Sequence, residues 1–210
     1  MPPKLPLLPK TPKLDLLETI NLTDDSYFEH IELIGIDASG NEATDASIMS
    51  SRISRSEFND SALIGLKLRD VSFDHVNFLN SDLEKSQHER IEYDHSRLMG
   101  IKLIDAQLEH VTFRRCSLDF ALLRFAKLKY VLFEKCTLND ADMQGAELSN
   151  VSFIDCDLTN LECSHAKLTA IDFSGSILDN MRVMPEQLKG STIDPTQVHH
   201  FIRLLGINVK

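Results

Sequence analysis

The chain has no tryptophan, three tyrosines and eight glycines in 210 residues. It has no apolar run near the roughly 18 residues of a membrane-spanning helix, so no helical span is expected. Basic residues are in deficit, with 22 Lys and Arg against 32 Asp and Glu, a formal charge of −10. That deficit speaks against direct nucleic-acid binding, which needs a basic footprint to displace counterions from phosphates. A basic protein partner is the better electrostatic match. The opening residues Met1-Pro2-Pro3-Lys4-Leu5-Pro6 put prolines where a secretory leader needs a continuous apolar stretch, so the cytoplasm is the expected location. No Gly-rich phosphate loop, Walker motif or HExxH is present. Nothing therefore calls for a cofactor, a metal or a catalytic residue, and the chain does not read as an enzyme.

What the sequence does contain is a period of five. Stepping by five from Phe28 to Leu178 gives 31 positions without an insertion, and only His88 among them is not apolar. The residues two places earlier, from Ser26 to Ser176, are Ala, Ser, Cys, Val, Ile or Leu apart from Asn41. Neither set holds an Asp, Glu, Lys or Arg, where composition predicts about 16. A step of five rotates about 140° around an α-helix, which smears the set over every face. In a straight strand an odd step reverses the face. The chain must instead turn a corner every five residues, with two side chains inward and three outward.

A second period closes the coil. Phe73, Tyr93, Phe113, Phe133, Phe153 and Phe173 lie 20 apart and are all aromatic, and Val71, Ile91, Val111, Val131, Val151 and Ile171 beside them are all β-branched. Cys116, Cys136 and Cys156 form another such series. Four sides of five residues thus make one coil, and like side chains stack in columns. The expected fold is an all-β solenoid of about eight coils spaced about 4.8 Å apart, a rod about 37 Å long, ending in a short α-helix. This pattern resembles the pentapeptide-repeat family, which implies a right-handed quadrilateral β-helix over residues 26–185.

The ends read differently. Residues 1–25 begin as an extended Pro- and Lys-rich segment, and Asp15–Ile20 reads either as one helical turn covering the first coil or as part of a disordered tail. Residues 186–210 are expected to form a cap, since a solenoid end left bare is an unpaired edge. Asp194 is a candidate N-cap and Pro195 an N1 residue. Val198, Phe201, Ile202 and Leu205 then follow at helical spacing, with Gly206 at C′, predicting a helix over about 195–205. With the tail residues Ile207 and Val209, this apolar face is the expected dimer interface.

At this end the likeness narrows. Leu188-Lys189-Gly190, Ile193-Asp194, Gln197 and Leu204-Leu205-Gly206-Ile207 resemble the terminal segment of Qnr and MfpA proteins, and Ser86-Gln87-His88 is similar to a tripeptide of the MfpA coil. The resemblance implies a DNA-mimicking homodimer, joined through its C-termini, that binds DNA gyrase and topoisomerase IV and protects them from fluoroquinolones. The unbroken register leaves no room for the projecting loops of Gram-negative Qnr proteins, so the chain is closer to the loop-free MfpA and chromosomal Gram-positive type. Two rivals share the scaffold: self-immunity to a gyrase-directed toxin, and an interaction scaffold unrelated to topoisomerases.

Charge by face bears on mimicry. The side centred on Phe58, Phe78, Leu98 and their column carries Asp37, Glu57, Asp60, Asp119, Asp140, Asp157 and Asp179 against the single base Arg97, a net −6. The other three sides come to +1, −2 and −3. This stripe is the candidate partner-binding face. It has a second reading, since Asp and Asn suit the corners of any such coil and an acidic excess keeps a rod soluble. The three stacked cysteines point inward in a row, unsuited to tetrahedral zinc, and with Cys163 read as core filler. His88 is expected in the core, bonded to a neighbouring backbone group. His199-His200 reads as a surface or dimer contact.

Overall fold

The computed structural model describes residues 6–10 and 13–204. From Tyr27 onward the backbone winds into a stack of about eight parallel coils. Each residue in the ladders pairs with the one twenty places on, as in Tyr27 with Ser47, Leu68 with His88, Phe113 with Phe133 and Asp157 with Ile177. Two walls carry continuous strands, such as Gln87–Asp94, Gln107–Arg114 and Lys127–Glu134, which run through the corner between them. The other two walls are joined by single bridges, such as Glu57 with Asn77 and Asp82 with Lys102.

The corners are made by a left-handed backbone. Every fifth residue from Asp25 to Asn180 has positive φ, without a gap. That region normally favours Gly, Asn and Asp, because a Cβ crowds the neighbouring carbonyl. Here it also holds Phe120 at 60°, Phe125 at 59°, Tyr130 at 55° and Lys135 at 55°. On two sides the corner is closed by a β-turn bond from the next inward residue, as from Ala121 N to the Leu118 carbonyl at 3.0 Å and Ala146 N to Met143 at 3.0 Å. Positive φ at the third residue is what that turn demands.

Inside, the columns form as the 20-residue period predicts. The six rings from Phe73 to Phe173 stack within 6° of parallel at 4.8–5.6 Å between centroids. Each such contact adds about 0.5–1.5 kcal/mol beyond the area it buries. The cysteine column is buried too. Cys136 Sγ donates to the Phe113 carbonyl and Cys156 Sγ to the Phe133 carbonyl, each at 3.4 Å, so each thiol touches the coil before it. Serines elsewhere in that column do the same work, as Ser176 Oγ does for the Phe153 carbonyl at 2.8 Å.

The N-terminal expectation needs correction. Asp15–Leu17 is a strand, not a helical turn, and pairs in parallel with Ile31–Leu33. The open edge of the first coil presents unpaired amides and carbonyls, and an added strand satisfies them as a helix could not. Leu22 is buried beneath the core, with Leu17 and Ile20 packed beside it. Residues 6–10 lie along the wall, where Leu7 N donates to His110 Nδ1 at 3.2 Å and Lys10 N to Asp70 Oδ1 at 3.1 Å. The rest of the Pro-rich opening, residues 1–5 with 11 and 12, lies outside the described residues.

The opposite end is closed by two Pro-x-Gln turns ten residues apart. At Pro185–Leu188, Gln187 Oε1 accepts from Met184 N at 2.8 Å while its Nε2 donates to the carbonyls of Cys163 and Ala166. At Pro195–Gln197 the pattern repeats: Gln197 Oε1 accepts from Asp194 N at 2.9 Å, and Nε2 donates to Phe173 and Ser176 carbonyls at 2.7 Å each. Asp194 is the N-cap, accepting from Thr196 N at 3.1 Å. The predicted helix is therefore shorter and split, a 3-10 turn at Pro195–Gln197 followed by an α-helix at Val198–Leu204. Its first turn is tight because Gln197 is drawn inward onto the last coil. Leu205 and Gly206 lie outside the described residues.

Candidate partner-binding face

The ladder brings the seven acids of the stripe onto one wall. Asp37, Glu57 and Asp157 belong to one bridged column, which runs Asp37, Glu57, Asn77, Arg97, Ser117, Thr137, Asp157 and Ile177. Asp119 and Asp179 each follow an inward leucine, Leu118 or Leu178, on the same side of later coils. Asp60 and Asp140 occupy its corners at φ of 52° and 56°.

What distinguishes this wall is its pairing. On the other three, many acids meet a base one coil away. Glu32 has Arg52 at 3.2 Å, Glu89 has Arg69 at 2.7 Å, Asp82 has Lys102 at 2.9 Å, Glu109 has Lys129 at 2.7 Å and Glu147 has Lys167 at 2.6 Å. Among the described residues, none of the seven acids is within ion-pair distance of a Lys or Arg. Their partners are hydrogen-bond donors of the wall itself. Glu57 accepts from Asn59 Nδ2 at 2.7 Å and Asp140 from Asn160 Nδ2 at 3.0 Å. Asp119 accepts from Asn139 N at 2.8 Å and Thr137 Oγ1 at 2.9 Å, and Asp157 from Thr159 Oγ1 at 2.7 Å. Hydrogen bonds from Ser39 hold the Asp37 carboxyl below the usual carboxylate range. Asp179 faces His200 Nδ1 at 3.2 Å.

Hydrogen bonds of this kind fix carboxylates without cancelling their charge, so the wall keeps a negative field that paired walls lose. The stripe is not continuous. Arg97 divides it into a lower group, Asp37, Glu57 and Asp60, and an upper group, Asp119, Asp140, Asp157 and Asp179.

At the C-terminal end Val198 is exposed and Ile202 half-buried. Of the other residues read as a dimer face, the Phe201 side chain and Leu205, Ile207 and Val209 lie outside the described residues.

His88 is buried as expected, but its partners are side chains, not backbone. Nε2 lies 3.0 Å from Ser86 Oγ and Nδ1 3.2 Å from the Tyr93 hydroxyl. Tyr93 is the one tyrosine of the aromatic ladder on the adjoining wall, and its hydroxyl reaches the ring because the two residues flank one corner. Burial lowers the His88 pKa to about 3 and pushes the Tyr93 phenol up. Burial likewise pushes the Cys163 thiol up to about 12 and raises Cys116. These groups are locked in the core.

Two features escaped the sequence reading. The Pro-x-Gln capping turns were visible as Pro185-Glu186-Gln187 and Pro195-Thr196-Gln197, ten apart, although only Asp194 and Pro195 were read as signals. The Asp-His pairs at 74–75 and 94–95 were visible as the same dipeptide one coil apart.

A family model described as the pentapeptide repeat region matches residues 67–143 and 126–201. The chain belongs to the pentapeptide repeat family. Among solved structures, this pentapeptide repeat protein is similar to HetL of the cyanobacterium Nostoc sp. strain PCC 7120, a pentapeptide repeat protein involved in heterocyst differentiation regulation. The identity is 19%, over 82% of this chain and 89% of that one, with a TM-score of 0.43. It is also similar to a trypsin-treated form of QnrB1, a plasmid-mediated fluoroquinolone resistance protein, at 18% identity over 88% of this chain and 100% of that one, with a TM-score of 0.46. Rfr23 from the cyanobacterium Cyanothece 51142 follows at 14% identity over 82% and 86%, with a TM-score of 0.22. No curated protein matches the pentapeptide repeat chain. Among the described residues no helix is long and apolar enough to cross a membrane.

Proposed function

We propose that this pentapeptide repeat protein binds DNA gyrase and topoisomerase IV as a non-enzymatic, DNA-like homodimer, and protects them from fluoroquinolones. The observation that carries the reading is the acidic wall whose seven carboxylates have no Lys or Arg partner among the described residues. A rod about 37 Å long, doubled through its C-termini, offers that charge over about two turns of duplex length. The terminal segment supports the same reading through its resemblance to Qnr and MfpA proteins. Attraction between such a wall and a basic DNA-binding saddle is long-range and weakens as salt rises.

The test is a gyrase cleavage assay with ciprofloxacin and a titration of purified protein. Loss of drug-stabilised cleaved DNA with supercoiling restored is the expected result. Asp60→Asn and Asp140→Asn remove charge at corners where Asn accepts positive φ, so the coil is preserved. Together with Glu57→Gln they should weaken the effect. Inhibited supercoiling without rescue keeps topoisomerase binding and removes protection. No effect on either reaction overturns the proposal and leaves an interaction scaffold.

A further inference from the structure

Beside the acidic wall, at the corner it shares with the strand-bearing wall, the 20-residue period stacks one dipeptide on itself. Asp74 pairs with Asp94 across adjacent coils, and His75 and His95 follow at the left-handed corner with φ of 53° and 47°. The two imidazoles lie parallel within 11° at 4.8 Å. Each is held by the aspartate before it, His75 Nδ1 at 2.7 Å from Asp74 Oδ1 and His95 Nδ1 at 3.1 Å from Asp94 Oδ1. A nitrogen of each ring and a carboxylate oxygen of Asp74 fall within 4.8 Å of one another. His75 and His95 border a cleft of about 220 Å³ lined also by Glu57, Val76, Asn77 and Arg97.

We propose that His75 and His95 bind a divalent transition-metal ion such as Zn²⁺, Ni²⁺ or Cu²⁺ through their Nε2 atoms, with Asp74 holding the His75 ring from Nδ1 and water completing the shell. A carboxylate that accepts a hydrogen bond from the Nδ1–H of a histidine fixes the tautomer and leaves Nε2 as a basic donor, the arrangement that supports histidine ligands in metal sites. That support is in place at His75, while at His95 the aspartate is shared with Arg115. Bringing two nitrogens to about 2.1 Å from one ion requires the stacked rings to tilt toward each other, which exposed corner side chains can do. Imidazole donors select these metals over Mg²⁺ and Ca²⁺. Two cations oppose the site. Arg115 Nη2 holds both Asp94 oxygens at 2.6 and 2.7 Å with Nε 3.4 Å from His95 Nδ1, and Arg97 lines the cleft. A bound ion would tie two successive coils together at the edge of the acidic wall.

Calorimetric titration of the untagged full chain with ZnCl₂ and with NiSO₄ tests this. One ion per chain is expected, with affinity falling by about tenfold or more in His75→Asn and in His95→Asn. Asn accepts the left-handed corner, so both variants should keep the parent's circular dichroism. Arg97→Gln should tighten binding by removing a nearby positive charge. His199 and His200, whose rings lie 4.0 Å apart on the terminal helix, are the rival site. Binding that survives the His75→Asn/His95→Asn double variant, or that is lost with His199→Asn/His200→Asn, overturns the proposal. So does the absence of any heat or bound metal at millimolar ion.

Discussion

The Gln197 side chain lies over Phe173, its amide nitrogen donating to the Phe173 carbonyl at 2.7 Å. Phe173 is the last ring of the aromatic ladder; above it Thr192 continues the backbone pairing, accepting from Phe173 N at 2.9 Å, and the Phe173 carbonyl is left to Gln197. One side chain thus replaces part of a missing coil, using both amide hydrogens on Phe173 and Ser176 carbonyls while being almost wholly buried.

Removing that amide leaves buried carbonyls without donors, which costs about 1–3 kcal/mol. Gln197→Ala should therefore lower the unfolding free energy by that amount, read as a lower urea midpoint with little change in slope, and Gln197→Glu should be at least as damaging because a carboxylate cannot donate. Gln187→Ala should show the same behaviour from its own side of the coil.

His88 should make stability fall as the solution is acidified. Its folded pKa is lowered to about 3 against an ordinary 6.5, so between those values the unfolded chain binds the proton and the folded one does not. The contribution is complete above about pH 6.5 and is lost progressively toward pH 3, at up to about 1.4 kcal/mol per pH unit. Replacing the polar cluster as a unit, with Ser86→Ala, His88→Leu and Tyr93→Phe, should remove this slope. Chemical denaturation of both proteins from pH 7 to pH 4 measures the difference. His88→Leu alone should be destabilised at pH 7, because it orphans the Ser86 and Tyr93 hydroxyls.

The four thiols should be silent in the native protein. Cys116, Cys136, Cys156 and Cys163 are all buried. A thiol-specific chromogenic reagent should label none of them quickly in buffer and all four in denaturant. Cys136→Ser should cost no more than about 1 kcal/mol, because serine already fills this column at Ser56, Ser96 and Ser176.

Phe120 illustrates strain that can be relieved. Its ring is 55% exposed and its backbone sits at φ of 60°. Phe120→Gly should raise stability by about 1 kcal/mol, since glycine adopts that conformation without steric cost. A rise in the urea midpoint at constant slope would verify it.

The five-residue and twenty-residue periods made the walls, columns and buried residues legible before any coordinates, because inward positions in a coil admit few side-chain types. The acidic wall was legible for the same reason, since its members share one remainder in the period. The corners were legible in part. Asp, Asn and Gly fill many of the left-handed positions, as at Asp60, Asn80 and Gly100, but Phe120, Tyr130 and Lys135 take the same backbone and carry no such signal. Nor could ion pairing be read from counts. The difference between a neutralised wall and a bare one depends on whether a base falls exactly one coil from an acid, as Lys129 does from Glu109. At the N-terminus a short apolar run was compatible with a helical turn, and the open edge beneath Ile31 decided for a strand.

The stacked aromatic column also has a kinetic meaning. All four sides share the same inward pattern, so a nascent coil displaced by one side would still bury two small or apolar residues per side. Hydrophobic burial alone therefore does not discriminate between the native winding and a slipped one. In the slipped winding Phe133 would meet Leu108 or Leu118 instead of Phe113, and the ring-on-ring contacts would be lost along the whole rod. The aromatic ladder thus acts as a vernier that selects one winding among several of similar burial, and the first coils, where Leu33 and Ile53 hold its column without a ring, are where mis-wound chains should accumulate.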